Sequence, residues 1–226
     1  MPRNTLAALL VILAALLLTL AAAELRAQES PTPTDPFGDD WKRAYDPPDD
    51  SWKKVTQELV YNNAADPETL DPATMTGVPE HTLALALYEG LTSHDPETLE
   101  PRPGVAERWE VSEDGKVYTF KIRRDAKWSN GDPITAEDFS WSYYRCLRPD
   151  VLCDYGYLFY YITGAEEFRK SKAEGGYEAF KQKVGIEVVD ARTLRFSLVA
   201  PTAYFLDLCS FETYMPVHRA TVEKHG

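Results

Sequence analysis

The chain has 226 residues, with 24 Lys and Arg against 36 Asp and Glu, giving a formal net charge of −12. That length buries a sizeable core in one or two domains, while the acidic balance argues against nucleic acid as a partner, because phosphates need Lys and Arg to neutralise them. At 44% hydrophobic and 27% charged residues, the composition excludes a collagenous, wholly disordered or multi-span membrane protein.

Arg3 is the only charge ahead of an apolar run from Leu6 to Leu20, which leads into Ala21-Ala22-Ala23. A positive start, an apolar middle and small residues at the end make residues 1–23 a secretory signal, with cleavage expected after Ala23. The run is nearly long enough to span a bilayer, so an uncleaved membrane anchor is the alternative. No Cys follows it for lipid attachment. Either way the remainder is expected in an exported compartment. Residues 24–54 are rich in Pro, Asp and Thr and lack periodicity, which predicts a solvated linker.

Folded structure is expected from about Val55. Glu58–Asn62 reads as a short strand, and Asp66–Pro72 carries turn chemistry with two prolines. A helix is predicted to open at Gly77-Val78-Pro79-Glu80, with Leu83, Leu87 and Leu91 at helical spacing and Gly90 as its stop. Glu113-Asp114-Gly115 marks a hairpin whose returning strand alternates Tyr118, Phe120 and Ile122 with polar residues. Trp109, Phe120 and Trp128 sit beside tight turns and are expected in the core. Thr135 and Asp138 form a capping-box signal for a helix to about Leu147, with Phe139, Tyr143, Cys146 and Leu147 on one stripe. A tyrosine-rich loop follows from Asp154 to Tyr161, then a polar helical stretch over 165–183 broken at Gly175-Gly176. Ile186–Val189 and Leu194–Val199 make a second hairpin, and two short helical signals close the chain. Asp-Pro-Glu-Thr-Leu occurs at both 66–70 and 95–99, but the flanks differ, which marks coincident turn chemistry and no structural repeat.

Cys146 and Cys153 are close enough in sequence to bridge a helix end to the following loop, leaving Cys209 over. Three buried, apolar thiols are the alternative. The four His residues lie apart from the cysteines at no spacing that zinc would use, so no metal or other cofactor is expected. No Gly-x-Ser-x-Gly, phosphate-cradling loop or His-Glu-x-x-His occurs, and the many carboxylates read as a solvated surface. The chain is therefore expected not to be an enzyme. An exported hydrolase using a carboxylate pair, or a membrane-tethered interaction domain, are the competing readings.

Several motifs stand in order: Asn62-Asn63, Leu70-Asp71-Pro72, Tyr88-Glu89-Gly90-Leu91, the segment Pro103 to Trp109, Glu113 to Phe120, and Arg123 to Phe139. The series resembles the extracellular solute-binding proteins of family 5, receptors of ABC importers for oligopeptides, dipeptides and nickel. The Gly77-Val78-Pro79-Glu80 segment looks most like the oligopeptide-binding branch. The resemblance implies an α/β, type II periplasmic-binding-protein-like fold: residues 55–89 would begin a large lobe, 90–199 an inserted smaller α+β domain, and 200–226 the return to the large lobe. It also implies an exported receptor that takes an oligopeptide or other small solute and delivers it to ABC importer permease subunits.

In the resembling family, the segment matching Thr76, Gly77 and Val78 pairs through its backbone with an extended peptide, and a side chain acts at the position of Tyr155. Such pairing suits a receptor indifferent to sequence, since every peptide offers the same N–H and C=O groups. Family members are commonly at least double this length, so the chain is expected to be the N-terminal portion, a truncated product or fragment with half a cleft.

Overall fold

The computed structural model describes residues 60–225. The expected signal, the linker and the first residues of the 55–89 segment lie outside the described residues. From Asn62 onward the chain forms one compact unit. The expected strand over 58–62 is not found in its described part: residues 60–62 are irregular, and Val60 and Tyr61 are exposed, with no strand paired to them among the described residues. A strand without a partner gains no ladder to hold it.

Helix α1 spans Val78–Leu87, with Gly77 extended ahead of it and Pro79 in its first turn. Of the expected stripe, Leu83 is half-buried and Leu87 exposed, while Leu91 is fully buried but lies beyond the helix; within the helix Ala84 is the buried apolar residue. The helix ends where Tyr88 turns extended, ahead of the expected stop at Gly90. Gly90 answers a different need, since a Cβ there would lie 2.3 Å from the Cys209 carbonyl oxygen. Strands β1 (Thr92–His94) and β2 (Pro101–Pro103) pair antiparallel around the second Asp-Pro-Glu-Thr-Leu copy. There the Asp95 carboxylate accepts from the Glu97 and Thr98 amides, both at 2.9 Å. In the first copy the Glu68 amide donates to the distant Glu80, so the two copies differ in structure as well as in flanks.

The main sheet comes from two hairpins. Strands β3 (Ala106–Val111) and β4 (Val117–Ile122) turn at Gly115, whose φ of +67° suits a residue without Cβ. Helix α2 (Ala136–Leu147) then starts on a complete capping box between Thr135 and Asp138. The tyrosine-rich stretch Asp154–Tyr161, expected as a loop, is a 3₁₀ helix. Helices α3 (Ala165–Lys170) and α4 (Gly176–Lys183) flank the predicted break. Strands β5 (Ile186–Asp190) and β6 (Thr193–Ser197) complete a four-stranded antiparallel sheet ordered β3-β4-β6-β5. Helix α5 (Phe205–Leu208), a 3₁₀ turn at Glu212–Tyr214 and α6 (Arg219–His225) follow. None of the helices among the described residues is long and apolar enough to cross a membrane.

Period-two patterning puts Tyr118, Phe120 and Ile122 of β4 and Leu194 and Phe196 of β6 on one buried face. The stripe of α2 covers that face, with Tyr143 5.9 Å from Phe196 between ring centroids. Tyr214 closes the cluster from the far end of the chain, its ring stacked 4.4 Å from Phe159. Trp109 packs against this core, but Trp128 does not join it; that ring lies 5.5 Å from His218. A separate small cluster joins Met75 and Ala84 to Met215, with Tyr88 against it.

On the wet face, the β5–β6 turn is tied by Asp190. Its carboxylate accepts from Thr193 Oγ1 and the Arg192 amide, each at 2.7 Å. The Thr193 hydroxyl first, then the Arg192 amide, pull the Asp190 carboxyl down to about 2. A carboxylate with a depressed pKa stabilises the fold above its ordinary value and loses that contribution as pH falls through its folded value. The Asp190 carboxyl carbon followed by NMR is therefore expected to titrate near 2. An ordinary carboxylate midpoint of about 3.9 would contradict the turn geometry.

Candidate ligand-binding site

The structure brings two of the sequence-predicted contact positions together. The Tyr155 hydroxyl donates to the Thr76 carbonyl at 3.3 Å, across 79 residues of chain. Tyr155 lies in the first turn of the 3₁₀ helix and Thr76 in the approach to α1. Thr76 and Val78 are exposed, and Val78 keeps 78% of its surface open. Among the described residues no hydrogen bond engages the Thr76 or Val78 amide. Two unengaged amides, on either side of the extended Gly77, therefore lie beside a tyrosine.

Gly77 has a structural task that its sequence context did not reveal. A Cβ there would lie 2.1 Å from Glu80 Oε2. Its absence makes room for the Glu80 carboxylate, which is buried and accepts from the Glu68 amide at 2.7 Å. That bond first, followed by bonds from the amides of Glu80 and Gly77, holds the Glu80 carboxyl below its usual value. Glu80 thus ties the turn at Glu68 to the first turn of α1, where its charge also suits the helix N-terminus.

Three further residues build the surroundings. Phe211 packs edge-on against Tyr155 at 5.3 Å and faces the His81 ring at 6.1 Å. His81 Nδ1 meets Glu212 Oε2 at 2.7 Å, with the Glu212 side chain 3% exposed. Sequence reasoning passed over His81, Phe211 and Glu212; their only signal was an acid inside an otherwise apolar stretch near the end. The turn leading into Thr76 is anchored from behind. Arg145, in the last turn of α2, donates Nη1 to Asp71 Oδ1 at 2.8 Å and Nη2 to Oδ2.

Cys146 and Cys153 are free, buried thiols, as is Cys209, so the bridge left open by the sequence is not made in the structure. The Cys146 thiol donates to the Thr213 carbonyl at 3.7 Å, and Cys146 and Cys153 lie in one buried cluster directly ahead of Tyr155. Tyr157 points outward, 53% exposed, and Tyr161 pairs with Tyr204 away from Thr76. A cavity of about 560 Å³ opens elsewhere, between the end of α2, α4 and α6. Its three arginines are matched by acids, in the pairs Arg145–Asp71, Arg148–Asp150 and Arg219–Glu223. None of the predicted contact residues lines it. No group of His, Cys, Asp and Glu among the described residues could hold a metal ion.

The fold is an antiparallel sheet with helices packed over one face, and its class follows from the proteins that share it. The chain belongs to the bacterial extracellular solute-binding proteins, family 5, whose model matches residues 100–225. It is 39% identical over 172 residues to the periplasmic oligopeptide-binding protein OppA of Escherichia coli, covering 75% of this chain and 30% of that protein. To the oligopeptide-binding protein OppA of Bacillus subtilis it is 38% identical over 176 residues, covering 78% and 31%. Among solved structures, Haemophilus influenzae OppA in complex with RPPGFSPFR superposes with a TM-score of 0.66 at 35% identity, covering 73% of this chain and 31% of that one. The murein tripeptide-binding protein MppA of E. coli gives 0.65 at 34% identity, covering 71% and 30%. The chain thus spans about 30% of the length of the relatives it matches, and its fold is the corresponding portion of a family 5 periplasmic binding protein.

Proposed function

We propose that this chain carries part of the ligand cleft of an exported peptide receptor that serves an ABC importer and catalyses no reaction. The observation that supports it most is the open backbone beside Tyr155: exposed Thr76 and Val78 amides with the Thr76 carbonyl already oriented by the tyrosine hydroxyl. An extended peptide laid along Thr76–Val78 would gain main-chain hydrogen bonds independent of its side chains, while the Tyr155–Phe211 pair offers an aromatic surface. Residues 1–23 would direct export, with cleavage after Ala23, and delivery would be to permease subunits in the membrane.

The reading also assigns the lobes. Residues 55–89 and 200–226 would belong to the large lobe, in keeping with the small Met75–Ala84–Met215 cluster, and 90–199 would form the smaller domain, with Ala73, Phe205, Cys209 and Tyr214 of the large-lobe segments packed into the same main core. Calorimetric titration of the complete gene product with short peptides of unrelated sequence tests the proposal. Saturable heat with several peptides is expected. No binding across peptides, nickel and small sugars would overturn it.

A further inference from the structure

The two thiols beneath the tyrosine helix are arranged for chemistry that peptide capture does not use. Cys146 sits in the last turn of α2, and Cys153 is the residue directly preceding the 3₁₀ helix. Both are buried, at 3% and 0% exposure. Between them the chain doubles back at Leu152, whose φ of +55° is a left-handed conformation uncommon for a branched side chain. Just beyond that turn Gly156 donates its amide to the Cys153 carbonyl at 3.1 Å, and a Cβ on it would lie 3.2 Å from the Cys146 carbonyl oxygen, so the two cysteines flank one glycine within one buried cluster.

The polar surroundings distinguish the partners. Arg169 of α3 donates Nη2 to the Cys153 carbonyl at 2.8 Å, and its guanidinium lies in the space where a Cβ of Gly156 would be. The neighbouring Cys146 thiol, and then the Arg169 charge against burial, bring the Cys153 thiol below its ordinary value. The proximity of Cys153, followed by burial, holds Cys146 well above it. Cys209 has no such neighbour; burial alone dominates and pushes its thiol up.

We propose that Cys146 and Cys153 form an intramolecular disulfide that fastens the end of α2 to the start of the tyrosine-bearing 3₁₀ helix. The thiolate of one cysteine attacks one sulfur of a disulfide oxidant, of the glutathione or thiol–disulfide oxidoreductase class, and expels the other sulfur as a thiolate. The second cysteine gives up its proton, and its sulfur attacks Sγ of the first, releasing the second thiol. Two protein thiols lose two electrons and two protons, and one oxidant disulfide becomes two thiols. Because both sulfurs are buried, the bond forms while the chain folds and is then shielded from reductants. It holds Tyr155, two residues on, against Thr76.

The bond's presence in the cell rests on the export reading above; its chemistry does not, and two preparations separate them. Unfolded protein is refolded in a buffer of oxidised and reduced glutathione, and protein is also isolated from the exported fraction of cells. Each is alkylated in guanidinium without reductant and mapped by peptide mass. The expected result in both is a Cys146–Cys153 peptide two hydrogens lighter, with Cys209 alone alkylated. Reduction is expected to lower the melting midpoint by about 5–10 °C, and Cys146→Ser with Cys153→Ser to abolish that redox dependence. The bond in the refolded sample alone supports the site and counts against export. Alkylation of all three cysteines in both samples, or a bridge to Cys209, overturns the proposal.

Discussion

Phe196→Ala is expected to destabilise the protein by about 3–5 kcal/mol, the range for emptying a fully buried aromatic site. Phe196 is 0% exposed and lies opposite Tyr118 and Ile186 in the sheet. Its ring meets Phe120 edge-on at 5.6 Å, Phe205 at 5.2 Å and Tyr143 at 5.9 Å. Those neighbours come from β4, α5 and α2, so no single element can relax into the space without dragging another, and the cavity persists. A domain with ordinary stability of about 5–15 kcal/mol would lose a large share of it. Urea unfolding should show the midpoint falling with little change in slope. Val189→Ala on the exposed side of β5 is the control, expected within about 0.5 kcal/mol. A Phe196→Ala loss below about 1 kcal/mol would mean the sheet face is not packed as described.

Arg145→Ala is the second large effect, expected at about 2–3 kcal/mol. Removing one member of a fully buried ion pair costs about 3–5 kcal/mol, and partial solvation reduces that. The Arg145 side chain is 14% exposed and that of Asp71 is 29% exposed. Asp71 is the hub of its turn: Oδ1 also accepts from the Ala73 amide at 3.1 Å, and its carbonyl accepts from the Thr74 and Met75 amides. Losing the guanidinium leaves the carboxylate half-buried and frees the turn that sets Thr76. The pair is separated from its unpaired charges by a double-mutant cycle with Asp71→Asn. The double variant should be more stable than the sum of the single losses predicts, by about 1–2 kcal/mol. Strict additivity would show that the two side chains do not act together.

Elements whose signals lie close together in sequence were legible. The capping box of Thr135 and Asp138 and the stripe through Phe139, Tyr143, Cys146 and Leu147 announce α2, and all four stripe residues are buried. The alternation in 118–122 and 194–198 likewise predicts the sheet's inner face. The leucines of α1 misled because helical spacing does not say which side meets the core; the face there is set by Ala84 against Met75 and Met215. The site was legible in part. Thr76 and Tyr155 were named through the family resemblance, and the hydroxyl–carbonyl bond joins them. What escaped were partners far apart in sequence. Glu212 pairs with His81 across 131 residues and Asp71 with Arg145 across 74, so each acid reads locally as surface. Glu80 escaped for a nearer reason, since only the missing Cβ of Gly77 makes its buried position possible.

Backbone pairing along Thr76–Val78 is the central claim, and one calorimetric comparison tests it most directly. The complete gene product is titrated with a short peptide, with versions differing only in side chains, and with versions carrying an N-methyl group on one backbone amide at a time. Side-chain changes are expected to alter affinity by less than about tenfold, whereas N-methylation at a paired position should weaken it by about tenfold or more. Affinity that follows the side chains and ignores every N-methyl group would contradict the account.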